Sequence, residues 1–557
     1  MTRIIPDELS QLLGQGVQAA QQAGDLPGDL PVEALKVERA KPEFGDYASP
    51  AALQLAKPAK MAPLKIAEAI AAHLPANDLV AEVTVSPPGF VNFRLSPAWL
   101  AAQVDRILDE GTAFADLNFA QGKRAQVECV SANPTGPITV GRTRGGVIGS
   151  TLANLLRAVG YDVEMEYYFN NAGRQMDILG QSLRARYLEL LGLPFTFPED
   201  GYQGDYLRDI AARLVEEQGD TLAETEDVAV FKDFAEAVVF ESIRASLDRV
   251  NIHFDTYFNE DSLYQSGEVW DVLARLEDIG VVYEADGARW LKTTELRGLE
   301  EDKVIVKSSG EPTYRLPDIA YHMDKIDRGF DQLVNILGTD HIEEYPDVAE
   351  GVRALGYDAD RIHVVIHQFV TLKEGGEVKR MSTRKGEFVT LDELVDDVGP
   401  DVVRYFILAR SPDAHMDFDL DLARQQSNEN PVYYIQNAHV RCAGIARQAT
   451  ERGISMEGGD VSLLTGEREL ALIRKMLELP EVVQTCVERF EPHHIAFYAH
   501  DFARLFHPTY DELRALSSDV SPVSPEVSQA RLKLYATVKI AFARCLELMG
   551  MSAPETM

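Results

Sequence analysis

Between about residues 119 and 410, short apolar runs of strand length recur with helical periodicity between them. The runs are "AQVECV" (125–130), "DVEMEYYF" (162–169), "DKVIVK" (302–307), "LVNILG" (333–338) and "IHVVIH" (362–367). Parallel strands need a crossover of a dozen or more residues, usually a helix, so this alternation points to a Rossmann-type parallel sheet. Residues 185–300 are acidic and interrupt the rhythm; they read as a mostly helical insertion carrying a small strand or two.

The flanks read differently. Residues 1–118 form an α/β unit: a helical start, "KIAEAIAAHL" with helical spacing, two strands broken by Pro-Pro-Gly in "AEVTVSPPGFVNFRL", and a closing helix in "PAWLAAQVDRIL". From about 421 onward strands vanish, and helical segments are expected at about 421–450, 467–490, 493–507 and 526–549. The fold class is therefore α/β and multidomain, with the parallel-sheet domain between an α/β N-terminal domain (1–118) and an all-helical C-terminal domain (411–557). No internal repeat is evident.

A formal net charge of −35 argues against a general nucleic-acid coat protein, which needs excess Lys and Arg, but not against local basic patches on one RNA. Lys57, Lys60 and Lys65 form such a patch, with no acidic residue from 51 to 67. Four scattered cysteines make neither a disulfide framework nor a zinc knuckle. No signal-peptide pattern opens the chain and no apolar run approaches the ~18 residues of a spanning helix, so a soluble cytoplasmic protein is expected, with no membrane partner.

Two stretches carry chemistry. "SANPTGPITVGRTRGG" (131–146) follows an apolar strand with a Pro/Gly turn and opens a helix, whose free N–H groups favour phosphate and whose glycines allow close approach. It is neither a P-loop nor G-x-G-x-x-G. "KRMSTRKGEFVTLDELVDD" (379–397) gathers Lys379, Arg380, Arg384 and Lys385 around Ser382 and Thr383, cations and hydroxyls suited to a triphosphate or, more plainly, to a solvated loop.

Together these stretches resemble the two signature motifs of class I aminoacyl-tRNA synthetases. "VSANPTGP", "YYFNNAGRQMD", "PTYRLPDIAYHMDK", "RMSTRKGEFVTLDELVDDVG", "DFDLDLARQQSNENPVYYIQNAH", "EFGDYA" and "PGFVNFRL" are similar to arginyl-tRNA synthetase in the family's order, over nearly the whole chain. The resemblance implies a class I Rossmann catalytic domain, a helical anticodon-binding domain and an N-terminal domain touching the tRNA elbow. It implies arginyl-adenylate formation from ATP and L-arginine, transfer to tRNA(Arg), a tRNA-dependent first step and a monomer.

It also implies site residues. Glu128 and Asp318 supply carboxylates for the substrate guanidinium, Tyr314 flanks it, and Asn133 and Gln368 hold the α-amino and carboxylate ends. Gly338, Asp340 and His341 in "LGTDH" meet the adenosine; Lys57, Lys60, Tyr433, Tyr434, Gln436 and Asn437 are the tRNA candidates. Taken alone, Glu128 reads as an edge carboxylate, Asp318 as a helix cap and the 433–437 group as helix packing.

The chain departs from the family at His-x-Gly-His, where it has Thr139, Val140, Gly141 and Arg142. Thr139 keeps a hydroxyl and Arg142 brings a permanent cation, so a working enzyme is expected; the alternative is an inactive arginine- or tRNA-binding sensor. A generic Rossmann nucleotidyltransferase would leave Glu128, Tyr314 and Asp318 without a purpose. No metal site is expected beyond Mg²⁺ arriving with ATP, and no zinc. "DFDLDLA" has Leu422 where a calcium loop needs Gly, and His493, His494, His500 and His507 lack H-E-x-x-H spacing.

Overall fold

In a computed structural model of the chain, residues 4–32, 35–378, 389–518 and 521–557 are described. The centre is a five-stranded, all-parallel sheet. Its strands are β1 (Arg124–Glu128), β2 (Asp162–Phe169), β3 (Thr256–Asn259), β4 (Gln332–Gly338) and β5 (Ile362–His367). They lie side by side in the order β5-β4-β1-β2-β3. The strand order reverses between β1 and β4, and a crevice beyond the carboxyl ends of strands at such a switch point is where open α/β sheets bind ligands.

Two helices deliver side chains to that crevice. Helix α1 (Val140–Ala158) follows β1, and its length from Val147 to Leu156 is almost wholly buried because Val147, Ile148, Leu152, Leu155 and Leu156 pack under the sheet. Helix α2 (Arg315–Asp327) precedes β4 and buries Leu316, Ile319, Ala320 and Met323.

Two expectations about the strands need correcting. Lys303–Val306 is a strand, but it pairs antiparallel in a separate three-stranded sheet with Val282–Ala285 and Ala288–Leu291. An apolar run shows that a strand exists and not which partner it finds. Conversely, β3 lies inside the stretch read as an insertion, yet it completes the edge of the parallel sheet beside β2.

The N-terminal unit has a four-stranded antiparallel sheet, with the hairpin of Val80–Ser86 and Phe90–Leu95 as expected. The helix Pro97–Glu110 does more than close this unit: it packs on Glu467–Met476 and Pro525–Leu548 of the helical region, where Lys533 pairs with Asp105 at 2.8 Å. The expected helix at 421–450 begins only at Pro431, capped by Asn430, after the short helix Leu420–Ala423. The expected helix at 467–490 is two, Glu467–Met476 and Leu479–Arg489, with Pro480 in the first turn of the second. His493–Glu512 and Pro525–Leu548 complete the layer.

The C-terminus is clamped onto the sheet domain by Arg404. This buried guanidinium donates to the carbonyls of Met549 (2.6 Å) and Val250 (2.7 Å) and to the hydroxyl of Ser150 (3.0 Å). A Cβ on Gly550 would strike it at 2.5 Å, and Gly550 also holds a φ of 70°, so glycine is required there twice over.

Candidate active site

The turn after β1 is strained. Val130 (φ 68°) and Ser131 (φ 39°) are both left-handed, and a β-branched residue there is a steric outlier. Held in that turn, Ser131 donates through Oγ to Glu128 Oε1 (2.9 Å) and accepts from the backbone N–H of Tyr168 (3.2 Å). The turn thus ties the ends of β1 and β2 together at the crevice. Asn133, exposed, accepts from the Asn170 N–H (3.0 Å) and donates to Gln175 (3.1 Å).

Thr139 is the N-cap of α1, and its side chain makes no capping hydrogen bond. Gly141 and Arg142 sit in the first turn; Arg142 is exposed and makes no salt bridge among the described residues. The next arginine has a different job. Arg144 is fully buried and donates to the carbonyls of Gln368 (2.8 Å), Ser411 (2.9 Å) and Ala414 (3.0 Å), and burial lowers its pKa to about 10. It locks α1 to the chain beyond β5, a role the sequence reading missed.

Lys379, Arg380, Ser382, Thr383, Arg384 and Lys385 lie outside the described residues, but both flanks of that stretch of sequence are described. It leaves from Glu377–Val378, paired with Val370–Glu374. It returns at Val389, whose carbonyl accepts from Val140 N–H (3.4 Å), while Leu391 N–H donates to the Ile138 carbonyl (2.9 Å). Thr139 and Thr390 form a β-bridge. Thr390 then caps the helix Leu391–Val398 through a capping box with Glu393. The chain from Val389 onward, just beyond the basic stretch, is therefore anchored to the N-terminus of α1.

On the other side of the switch point, Gly338 ends β4 and Asp340 and His341 occupy a single 3-10 turn, with His341 Nε2 3.7 Å from Asp340 Oδ2. His367, at the end of β5, lies 3.1 Å from where a Cβ on Gly145 would stand, so α1 needs glycine there to admit the ring. Burial holds the His367 imidazole neutral, with its pKa lowered to about 4. Gln368 is half-buried, and its backbone carbonyl is the one Arg144 grips.

Beyond β1, β2 and β3 opens an acidic recess. Asp318, one turn into α2, has its carboxyl pushed well up by burial and by Glu128, Glu260 and Glu344. Glu260, just past β3, is buried and accepts from the Tyr168 hydroxyl (2.8 Å); burial raises its pKa as well. Tyr168, Phe258 and Tyr321 form the aromatic wall, with ring centroids 4.6–6.1 Å apart. Tyr314 stands at the mouth, 70 % exposed, one turn before Asp318. Glu128 reaches the same recess but already has a partner, since Lys325 Nζ lies 2.6 Å from its Oε2. Sequence reasoning missed Glu260 and Lys325; the only signal for Glu260 was the aromatic pair in "TYFNE", hidden in an acidic stretch.

Raised carboxyls crowded in a half-dry, aromatic-lined recess are what a planar, permanent cation relieves. Beside it stand a helix N-terminus with an exposed arginine and the root of a loop rich in cations.

Three family profiles match the chain in sequence order. They are the arginyl tRNA synthetase N terminal domain (7–95), the class I (R) tRNA synthetase catalytic domain (103–405) and the DALR anticodon binding domain (435–557). The chain belongs to the arginyl-tRNA synthetase family. The arginine–tRNA ligase of Chlorobium phaeobacteroides is 44% identical over 99% of this chain and all of its own length. That of Salinibacter ruber is 45% identical over 96% of this chain and 97% of its own. Among solved structures, Thermus thermophilus arginyl-tRNA synthetase superposes with a TM-score of 0.77 at 22% identity over the full length of both chains, a likeness of fold.

The remaining candidates of this arginyl-tRNA synthetase fold lie outside the crevice. Lys57, Lys60 and Lys65 are exposed on and around the helices Ala51–Ala59 and Pro63–Ala72, with no acidic partner among the described residues. Tyr433 and Asn437 are half-buried on the helix Pro431–Glu451, and Tyr434 packs on His507 with centroids 4.3 Å apart. Gln436 is buried and spends its amide on Asp401 (2.7 Å) and the Ser552 carbonyl (3.0 Å). Among the histidines set aside above, His493 and His494 gather with Glu491, their ligand atoms within 4.8 Å of one another, and His494 is bonded to Glu491 at 2.8 Å. No helix among the described residues is long and apolar enough to cross a membrane.

Proposed function

We propose that the protein is an arginine–tRNA ligase: ATP and L-arginine give arginyl-adenylate and pyrophosphate, and arginine then passes to the 3′ end of tRNA(Arg), releasing AMP. The observation that carries this reading is the acidic recess of Asp318 and Glu260 beside the α1 N-terminus, in a chain with all three domains of the family. A guanidinium pairs with planar carboxylates through paired N–H donors, which a lysine ammonium reproduces poorly.

In this reading Glu128 and Asp318, with Glu260 beside them, take the guanidinium and Tyr314 closes over it, while Asn133 and Gln368 hold the α-amino and carboxylate ends. Gly338, Asp340 and His341 meet the adenosine. The substrate carboxylate attacks the α-phosphorus, and the charge on departing pyrophosphate is met by Arg142 and the loop cations Lys379, Arg380, Arg384 and Lys385. Thr139, Ser382 and Thr383 add hydroxyl donors, and Gly141 leaves room for the nucleotide. A ribose hydroxyl of the tRNA then attacks the mixed anhydride, with AMP as leaving group; no bond to the enzyme forms. Mg²⁺ enters with ATP, and zinc has no part in the reaction. The tRNA elbow meets Lys57 and Lys60, and the anticodon loop meets Tyr433, Tyr434 and Asn437, with Gln436 holding their helix in place. The domains divide near residues 118 and 410, and the working form is a cytoplasmic monomer.

Arginine-dependent ATP–pyrophosphate exchange, run with and without cognate tRNA, tests the reading. Exchange that requires tRNA is the expected result. Arginine or tRNA binding without exchange in either condition would overturn it in favour of a sensor.

A further inference from the structure

We propose that His367 is a specificity residue for the nucleotide: its Nε2 lone pair accepts a hydrogen bond from the amino group of adenine, so that the crevice takes ATP and turns away 6-oxopurine triphosphates. The inference rests on the ligase reading and deepens it, because that reading brings ATP to the end of β4 without saying what reads the base.

His367 stands where such a contact is needed. It is the last residue of β5 and pairs in register with Gly338, the last residue of β4, so it adjoins the turn of Asp340 and His341. Its ring reaches across the crevice to α1, where Nε2 lies 3.1 Å and Cδ2 3.5 Å from the position of a Cβ on Gly145. The half-buried ring thus spans the gap between the turn read as meeting the adenosine and the helix start read as meeting the phosphates.

The backbone selects the tautomer. His367 Nδ1 lies 3.4 Å from the Gln368 carbonyl, which can only accept, so Nδ1 carries the proton. Arg144 holds the same carbonyl at 2.8 Å and is itself anchored on the carbonyls of Ser411 and Ala414, so the acceptor is fixed in place. Burial first, then the Arg144 and Arg142 cations, keep the ring neutral against the pull of Asp340. Nε2 is left as a bare acceptor, with no hydrogen-bond donor in reach among the described residues. A phosphate oxygen is an acceptor too and finds no partner there. An N–H donor fits, and at position 6 of the purine adenine presents an amino donor where guanine presents a carbonyl acceptor. A base with the wrong group would bury two acceptors face to face, which costs more than the lost bond.

The test crosses the side chain with the base. Wild type, H367A and H367Q are compared in tRNA charging with ATP, with inosine triphosphate and with purine riboside triphosphate, which has only hydrogen at position 6. In the wild type the KM of either analogue exceeds that of ATP about tenfold or more. H367A raises the KM for ATP about tenfold, but keeps that for purine riboside triphosphate within about twofold and leaves arginine KM unchanged. H367Q, whose amide oxygen still accepts, keeps part of the preference for ATP. Thermal unfolding is read alongside, and H367L, which fills the space without an acceptor, replaces H367A should the smaller side chain cost the fold. Equal rises for ATP and purine riboside triphosphate would overturn the proposal, since a ring that only packs against Gly145 serves every base alike. So would an unchanged KM for ATP. Were the wild-type chain to charge no tRNA, the ligase reading would fall. Calorimetric titration of the three nucleotides into wild type and variant would still decide the contact, through the same non-additivity between side chain and base.

Discussion

Arg39 of the N-terminal unit grips Glu481 of the helical domain with two nitrogens, Nη2 at 2.9 Å and Nε at 3.2 Å. Its Nη1 reaches Glu478 at 3.0 Å, the Tyr47 hydroxyl donates to the Glu481 carboxylate, and Asp46 pairs with Arg474 at 2.9 Å. Asp46 and Tyr47 belong to "EFGDYA", whose Gly45 (φ 123°) turns so tightly that a Cβ would stand 2.5 Å from the Phe93 carbonyl oxygen. That motif is thus a joint between the N-terminal unit and the helical domain. Arg39→Ala should cost about 2 kcal/mol, since a half-dry charged pair is broken from one side. In tRNA charging it should raise the KM for tRNA several-fold and leave that for arginine unchanged. Equal rises in both would show that the joint also shapes the recess.

A second expectation concerns Gly149 in α1. A Cβ there would stand 2.7 Å from both Cβ and Sγ of buried Cys129, at the end of β1. Alanine gains about 1 kcal/mol of helix propensity. Overpacking a site with no flexible neighbour costs about 1–3 kcal/mol, so Gly149→Ala should be net destabilising. Gly444, in the helix Pro431–Glu451, meets only the far end of Arg447 at 3.8 Å. There the propensity term stands alone, and Gly444→Ala should stabilise by about 0.5–1 kcal/mol. Urea midpoints of the two variants should move in opposite directions.

The same contrast between local and distant causes governs what the sequence discloses. β1, β2, β4 and β5 were legible because each is an apolar run bounded by turns. β3 was not: its four residues are only half-buried and sit in an acidic stretch. Asp318 could be found from its motif, and the flanks of the basic loop lie where the motif order implies. Glu260 and Lys325 could not, because each acquires its role from a partner far along the chain, 92 residues away for Tyr168 and 197 for Glu128. Arg142 and Arg144 show the limit most plainly. They are two residues apart and chemically identical, yet one is exposed at a helix start and the other is buried under carbonyls. Helical phase separates them, and periodicity alone does not say which faces the nucleotide.

Arg142 is also where the family's histidines give way, so its removal is informative. If it meets the departing pyrophosphate, Arg142→Ala should lower the rate of tRNA-dependent exchange by about a hundredfold and leave arginine affinity within a few-fold. Stopped-flow or exchange kinetics, set beside calorimetric arginine binding, separate the two. Equal losses would place Arg142 in the fold of the recess instead.

His322 links the recess to acid stability. Burial, and then the neighbouring Lys325 ammonium, lower its pKa to about 3, against an ordinary value of about 6.5. As pH falls through about 6.5, the unfolded chain takes up a proton at this position and the folded chain does not. Stability contributed by the neutral ring is therefore complete above about pH 6.5 and declines toward pH 3, by up to about 1.4 kcal/mol per pH unit. The raised carboxyls of Asp318 and Glu260 act in the opposite sense, since the folded chain protonates them first and gains stability as pH falls. Their share is common to wild type and variant, so the difference between His322→Gln and wild type isolates the ring. Urea unfolding at three values between about pH 7.5 and 5.5 should give the variant a slope shallower by close to one proton below pH 6.5. Parallel slopes would mean that the ring protonates in the folded protein. The bonds of the neutral ring, accepted from Asn335 Nδ2 at 2.7 Å and donated to the Asp318 carbonyl at 2.7 Å, would then not both hold.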